Sequence, residues 1–507
     1  MSCSHKKIKW SCPVSEQILE EKSYDWLSNL PTDILYHILS FLDITEVVKT
    51  TFLSRTWRDM WDSMPCFNFN FRDFCDQEHC LALSYDECLS KFWAFVKWTF
   101  IMKNSSPICK LQFSCDYFDG YQLELLFSLC AMGKVQELEL IAGYEIEQCP
   151  LNWLVPKRVA AFTENISSLV KLQSFTVFGN LKTLHLVGVQ FPDAYIAEKV
   201  FSDCGVLENL SLEYCCFMMI KFLNIYANKL RKLNFENLGP GWWGYKCIFE
   251  GRLKLHTPNL VSFSYIGPVI QLCEFSDMLF LKHASIIVHC NATVLSPELG
   301  AMGLGIHHVE ELSVSAAVIL YFSPAFGRPG RNFHPFGNLR CLKLDLECTA
   351  VHIEGLINLL QLSPNLEVLR IELFQGWIIS GWESREMDVQ FLSHNLKEIE
   401  IGASHEVLNS VELIKFFLQN GKSLERIKFV QKYKKVNPEK FYALHEVQLA
   451  SEAVSVYVTS ISASGKREFF EFIYGKCGVS VQTKTSKMKI RIRRSMRLAG
   501  KKAGGSS

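Results

Sequence analysis

From residue 108 onward the chain returns again and again to one six-residue pattern: apolar, two others, apolar, one other, apolar. In register the copies are ICKLQF from Ile108, VQELEL from Val135, LKTLHL from Leu181, LENLSL from Leu207, LRKLNF from Leu230, LVSFSY from Leu260, VEELSV from Val309, LRCLKL from Leu339, LEVLRI from Leu366, LKEIEI from Leu396 and LERIKF from Leu424. Most intervals run from about 23 to 30 residues, room for one strand and a return segment. The last two apolar residues of each copy fall on one side of a short strand and the residue between them on the other. A single copy cannot bury its apolar side, so stability has to come from stacking neighbours. That predicts an α/β chain wound as a curved solenoid with a parallel β-sheet. A weaker copy at Leu281 splits the one long interval, and 151–180 holds only a degenerate copy around LQSFTV.

Composition limits what else the chain can be. The 507 residues are 49% hydrophobic with a formal net charge of +1, but the balance is uneven. From Lys484 onward there are nine Lys and Arg and no Asp or Glu, which leaves residues 1–483 with 44 against 52, a net of −8. An acidic body and a basic tail are therefore expected. The nineteen cysteines include no CxxC, so reduced, buried thiols are expected rather than a disulfide framework. The opening MSCSHKKIKWSCPVSEQ lacks the apolar core of a signal peptide, and no stretch approaches the ~18 apolar residues of a membrane helix. The expectation is a protein of the nucleus and/or cytoplasm with no membrane partner, in which the sequons at Asn104, Asn165, Asn209 and Asn291 are chance matches.

Ahead of the repeats, Leu30-Pro31-Thr32-Asp33 reads as a helix start, with proline in the first turn and Asp33 near the positive end of the dipole. Ile34, Leu35, Ile38, Leu39, Phe41 and Leu42 follow at three- and four-residue spacing, predicting about three helical turns. Thr45 is expected to cap a second short helix with Val47, Val48 and Phe52, and Ser54 a third with Trp57, Met60 and Trp61. Three short helices in about 40 residues bury little area, so part of their apolar surface is expected to meet a partner.

Residues 25 to 62, DWLSNLPTDILYHILSFLDITEVVKTTFLSRTWRDMW and onward, resemble an F-box in LPxDIL, in V-V-x-T-x-x-L-S and in the closing R-x-W-R-x-M-W. The resemblance implies docking to the Skp-family adaptor, and through it the cullin, of an SCF ubiquitin ligase. Leu30, Pro31, Ile34, Leu35, Ile38 and Leu39 match the motif's adaptor-facing or helix-setting positions, while Val48, Leu53, Trp57 and Trp61 match its packing and clamp positions. Core packing is the competing reading for the leucines and both tryptophans. The copies that follow resemble leucine-rich repeats, and the whole is similar to plant F-box proteins that carry them. Residues 394–429 resemble the FBD region of many such proteins, with Leu396, Lys397, Ile399, Glu400 and Ile401 on a strand, Glu412, Leu413, Lys415, Phe416 and Leu418 on a helix, and Leu424, Glu425 and Ile427 on the next strand. Physically this reads as the last repeats plus an amphipathic helix that seals the solenoid. The repeats depart from the family pattern in rarely carrying Asn or Cys three residues after the third leucine. Cys215 is one instance, read as a small buried side chain that satisfies backbone carbonyls, and the convex side is expected to be irregular.

The expected organisation is a disordered 1–24, a three-helix F-box at 25–66, a helical linker at 67–107 and a solenoid at 108–435 with the FBD-like region inside it. A cap at 436–475 and a basic disordered tail at 476–507 follow. On strands in this register His185, Ser211, Asn234, Ser264, Ser313, Lys343, Arg370, Glu400 and Lys428 face the concave side. The charged last four suggest a C-terminal half suited to a charged partner, and a solvated face explains them equally well. Two long insertions, NLGPGWWGYKCIFEG and SPAFGRPGRNFHPFG, hold the aromatic and arginine types that anchor interfaces, although loops folded back on the solenoid would show the same composition. The candidate client-binding set is Trp242, Trp243, Tyr245, Arg328, Arg331, Lys343, Arg370 and Lys428.

No reacting constellation is legible. NGKS at 420–423 has Phe416 where a phosphate loop needs glycine, and GxSxG and HExxH do not occur. No catalytic residue, metal or cofactor is expected. The basic tail suits nuclear import, loose contact with phosphates, or a solubilising role. The expected function is a non-catalytic substrate-recognition subunit of an SCF ubiquitin ligase, with the adaptor on the helices and an unknown protein client on the repeats. The alternative is a nuclear leucine-rich-repeat scaffold or nucleic-acid-associated protein outside any ligase, although nucleic acid is not the expected partner.

Overall fold

The structure is a computed structural model that describes residues 29–75, 83–103, 107–115, 134–142, 179–189, 194–215, 220–238, 251–268, 272–274, 278–288, 306–323, 334–346, 350–373, 395–403, 410–432, 451–461, 467–475, 478–483 and 490–493, with isolated positions between them. Helix α1 (Thr32–Leu39) starts after Pro31 with Asp33 in its first turn. It stops one residue before Ser40, so Phe41 and Leu42 lie beyond it. Helix α2 (Ile44–Thr50) is capped by Asp43 and not by Thr45. The Asp43 carboxylate accepts the backbone N–H of Thr45 at 2.6 Å and of Glu46 at 3.2 Å, satisfying donors that a hydroxyl already inside the helix cannot reach. Ser54 caps α3 (Arg55–Ser63) as expected, accepting the N–H of Trp57 at 3.4 Å.

Among the described residues the main sheet has seventeen strands. Numbered along the chain, β1 (Cys66–Asn70), β2 (Lys110–Cys115), β3 (Glu137–Ala142), β4 (Thr183–Val187), β5 (Asn209–Glu213), β7 (Lys232–Glu236), β9 (Ser262–Gly267), β11 (His283–Val288), β12 (Glu311–Val314), β13 (Cys341–Leu346), β14 (Val368–Leu373), β15 (Glu398–Ala403), β16 (Arg426–Lys432) and β17 (Ala453–Ile461) each pair parallel with the next. The weak copy at Leu281 is thus a full member, β11, and the degenerate copy near residue 172 lies outside the described residues. β18 (Arg467–Gly475), β19 (Gly478–Thr483) and β20 (Ile490–Arg493) then add antiparallel strands.

Three expectations change. The segment from 67 is not only a helical linker: FNFNF alternates at period two, buries Phe67 and Phe69, and supplies the first strand of the sheet. Sealing of the C-terminal end does not fall to the FBD-like region. Its strand β15, the helix Ser410–Asn420 and strand β16 are followed by β17 and the antiparallel strands, two of which occupy positions expected to belong to a disordered tail. The return segments are not uniformly irregular either, because β6 (Phe222–Tyr226), β8 (Arg252–His256) and β10 (Leu272–Glu274) form a second, three-stranded parallel sheet.

Between β1 and β2, a short helix α4 (Phe71–Cys75) leads to α5 (Tyr85–Met102), which opens on a capping box between Ser84 and Glu87 and buries Phe92, Trp93 and Val96. Its rings join an aromatic cluster that ties the helical module to the sheet. Trp61 stacks on Phe67 at 5.4 Å, Phe69 on Phe113 at 4.7 Å and Trp93 on Phe113 at 5.9 Å. The Lys103 ammonium lies 4.6 Å from the Phe67 ring centre and donates to the Met64 carbonyl.

Farther on, helices α6 (Ala194–Asp203), α7 (Ala316–Tyr321), α8 (Ala350–Gln361) and α9 (Ser410–Asn420) back the sheet on return segments. α7 and α8 approach so closely at Gly355 that an added Cβ would stand 2.3 Å from the Ile319 carbonyl oxygen. Gly355→Val is therefore expected to destabilise the protein by about 1–3 kcal/mol, read as a fall in the thermal midpoint. The asparagines rare after the third leucine reappear in the turn before the first. Asn259, Asn338 and Asn365 donate to the carbonyls of Asn228, His308 and Gly337 at 2.7, 3.1 and 2.8 Å, tying each turn to the one before it.

Candidate docking surfaces

The three N-terminal helices turn one apolar stripe inward and leave another in water. Leu35, Leu39, Ile44, Val47, Trp57, Met60 and Trp61 are buried together. Ile34, Phe41, Phe52 and Leu53 are 48%, 74%, 82% and 66% exposed, and Leu30 and Pro31 are exposed beside them. The ten candidate adaptor residues therefore divide. Leu30, Pro31, Ile34 and Leu53 are open to a partner, and Ile38 and Val48 are half-buried. Leu35, Leu39, Trp57 and Trp61 are core residues, a correction that follows from the helix facing: on α1 the i, i+4 pair Leu35 and Leu39 shares the inner stripe, and on α3 the i, i+4 pair Trp57 and Trp61 shares the buried one, with Trp61 stacked on Phe67. Phe41 and Phe52 were missed as surface residues. Both stand just past a helix end, where the helical period that placed them on a helix no longer applies. So much exposed apolar area on a small helical unit marks a contact surface.

Along the main sheet, Asn68, Gln112, Glu139, His185, Ser211, Asn234, Ser264, Ser285, Ser313, Lys343, Arg370, Glu400, Lys428 and Tyr457 stand in one lateral row, which contains all nine residues expected on one face. The row's first half is a polar network. His185 Nδ1 donates to Glu139 at 2.9 Å, and Nε2 lies 3.1 Å from Glu213. Gln112 donates to the same Glu139 carboxylate, while Ser211 and Asn234 donate to Glu213 at 2.9 and 3.2 Å. The hydrogen bond to Glu139 holds the imidazole pKa above its ordinary value, with Glu213 adding attraction, and the same bond holds the Glu139 carboxyl low. Burial and then the Glu213 charge push the Glu236 carboxyl up.

A pH dependence follows. Protonated His185 contributes its full stabilisation below 6.5, its ordinary value, and this is lost as pH rises through the raised value in the folded protein. Glu139 acts oppositely, its contribution being present above 4.5 and lost as pH falls through its lowered value. The thermal midpoint should fall as pH is raised from about 6 to about 9, and fall less in His185→Gln. Equal slopes in the two proteins would remove His185 from this role.

In the second half, charges expected to recognise a charged partner are mostly spent on one another. Arg370 pairs with Glu400 at 3.4 Å, Arg426 with Glu398 at 3.2 Å and Lys432 with Glu372 at 3.2 Å, and Lys428 also reaches Glu398, whose carboxyl this bond holds low. Each neighbour comes from the adjoining strand or the next but one, so only the register reveals the pairing. Lys343, exposed, has no ion pair among the described residues. The candidates Trp242, Trp243, Tyr245, Arg328 and Arg331 lie outside the described residues. Cys215 is buried with Sγ donating to the Leu186 carbonyl at 3.5 Å, as its position in the repeat predicts. Among the described residues no group of three or more His, Cys, Asp or Glu is placed to hold a metal ion, and no helix is long and apolar enough to cross a membrane.

Comparison with known families matches both parts of this architecture. The F-box domain matches residues 27–69, and the At1g61320/AtMIF1 LRR domain matches residues 163–460, more than half of the chain. The chain belongs to the F-box proteins with leucine-rich repeats. Among the Arabidopsis thaliana relatives, F-box/FBD/LRR-repeat protein At1g78750 is 32% identical over 38% of this chain and 42% of its own length. Putative F-box/FBD/LRR-repeat protein At4g13965 is 24% identical over 80% of the chain and 90% of its own length, and putative F-box/FBD/LRR-repeat protein At4g03220 is 23% identical over 79% and 88%. The F-box match ends at Asn70's neighbour Phe69, so it includes most of β1: module and sheet share a strand rather than a linker.

Proposed function

We propose that this F-box/LRR protein is the substrate-recognition subunit of an SCF ubiquitin ligase. The observation that carries the reading is the exposed Leu30, Ile34, Phe41, Phe52 and Leu53 on a segment that matches an F-box. These side chains bind a Skp-family adaptor, and through it a cullin, by removing apolar area from water. The exposed face of the main sheet and the insertions that carry Trp242, Trp243, Tyr245, Arg328 and Arg331 hold a protein client, with Lys343, Arg370 and Lys428 at the sheet's charged end. The chain supplies no reacting group; it raises the effective concentration of client lysines near the ubiquitin-charged enzyme. It works in the nucleus and/or cytoplasm.

Affinity purification under proteasome inhibition, followed by mass spectrometry, tests the reading: adaptor and cullin should co-purify with a client that accumulates with the inhibitor. Recovery of the chain without any adaptor would reject it. Trp242→Ala with Trp243→Ala should leave adaptor recovery intact and lower client recovery severalfold, and unchanged client recovery would dismiss that insertion.

A further inference from the structure

The second sheet gives the repeat layer a face unlike that of the main sheet. Leu223, Ile225, Leu253 and Leu255 are buried, so the alternate residues Phe222, Asn224 and Tyr226 of β6 and Arg252, Lys254 and His256 of β8 stand on the side away from the core. Their register sets Phe222 beside Arg252, Asn224 beside Lys254 and Tyr226 beside His256. The Arg252 guanidinium lies 5.9 Å from the Phe222 ring centre, and the Tyr226 ring stacks on His256 at 4.3 Å with 4° between the planes. Even so, Phe222 is 55% and Tyr226 45% exposed. These are two large rings kept in water on a face already ordered by its own backbone pairing.

Charge on this face differs from that of the chain around it. Exposed Lys221 and Lys229 flank β6 and join Arg252 and Lys254. Against them stand Glu198 of α6, which accepts a hydrogen bond from Asn224, and Glu274 of β10, placed opposite Lys254 in the register. Among the described residues cations are in excess here, on a body whose first 483 residues are net acidic.

We propose that the outer face of the three-stranded sheet is a docking surface for a short acidic segment of a partner protein, separate from the helical patch and from the main sheet. Arg252 and Lys254 meet carboxylates while Phe222 and Tyr226 lose their exposed area to the same segment, the pairing of rings and arginine that concentrates energy in interfaces. Charge complementarity selects an acidic occupant. A long nucleic acid also offers negative charge and flat rings, but it would run onto the acidic body beyond these strands and be repelled there, which a short peptide avoids. The inference stands whether or not the chain serves a ligase.

Fluorescence anisotropy on the full chain tests it, with a labelled glutamate–tyrosine copolymer as probe and a lysine–tyrosine copolymer and oligouridine as comparisons. The acidic copolymer should bind, release with salt, and bind about tenfold or more weakly to Arg252→Glu with Lys254→Glu. Phe222→Ser with Tyr226→Ser should weaken it as well, while Arg252→Lys retains binding. Circular dichroism matching the native chain qualifies each variant, and Arg252→Gln replaces any that unfolds. Absent binding by the native chain, undiminished binding by the charge-reversed chain, or a loss of oligouridine binding without a loss of copolymer binding would overturn the proposal.

Discussion

Trp61→Ala is expected to lower the unfolding free energy by about 3–5 kcal/mol, the range for truncating a buried aromatic ring. Trp61 is buried at the end of α3 and stacked at 5.4 Å on Phe67, the second residue of β1. Phe67 in turn meets Phe69 and Phe100 edge-on at 5.9 Å. The indole therefore fills the joint between the helical module and the first strand of the sheet. The loss should appear in chemical denaturation as a lower midpoint, with a smaller loss in Trp61→Phe because that ring keeps the stack. A native midpoint in Trp61→Ala would show that the tryptophan is not part of the core.

Ile34→Glu with Leu53→Glu should weaken adaptor binding by about a hundredfold or more, some 3 kcal/mol, and leave the thermal midpoint within about a degree of the native value. Both positions are about half or more exposed, so the folded chain accepts the charges, while an apolar partner surface does not. Leu35→Glu, one residue from Ile34, should do the reverse and unfold the module, because its side chain is buried. Titration calorimetry with recombinant adaptor separates the two: a patch variant that binds like the native chain would contradict the assignment of this surface.

What the sequence disclosed followed from periodicity. Alternation at period two identified the strand of every copy that repeats cleanly, and with it the single row from His185 to Lys428, since a one-residue slip would have moved each leucine out of the core. Even the weak copy at Leu281 proved to be a strand of equal standing. Strand β1 was hidden because FNFNF is one short alternating run outside the spacing of the repeats, set between α3 and the apolar helix α5. On α1 two apolar stripes share eight residues, and sequence alone does not say which of Ile34 and Leu35 faces water; burial of Leu35 with Leu39 in the common core decides it. The charges at Arg370, Glu400 and Lys428 carried no pairing information until the register set Arg370 beside Glu400 and brought Glu398 within reach of Lys428. The second sheet was illegible for a different reason. Its strands lie in return segments, where FLNIY and RLKLH alternate as cleanly as the main repeats but fall outside their spacing.

The central claim is that the exposed face of the helical module binds a Skp-family adaptor. Its most direct test is size-exclusion chromatography with light scattering on the full chain mixed with recombinant adaptor. One-to-one co-elution of native chain and adaptor is predicted, with the two eluting apart for Ile34→Glu with Leu53→Glu. Separate elution of the folded native chain, or co-elution of that variant, would contradict it.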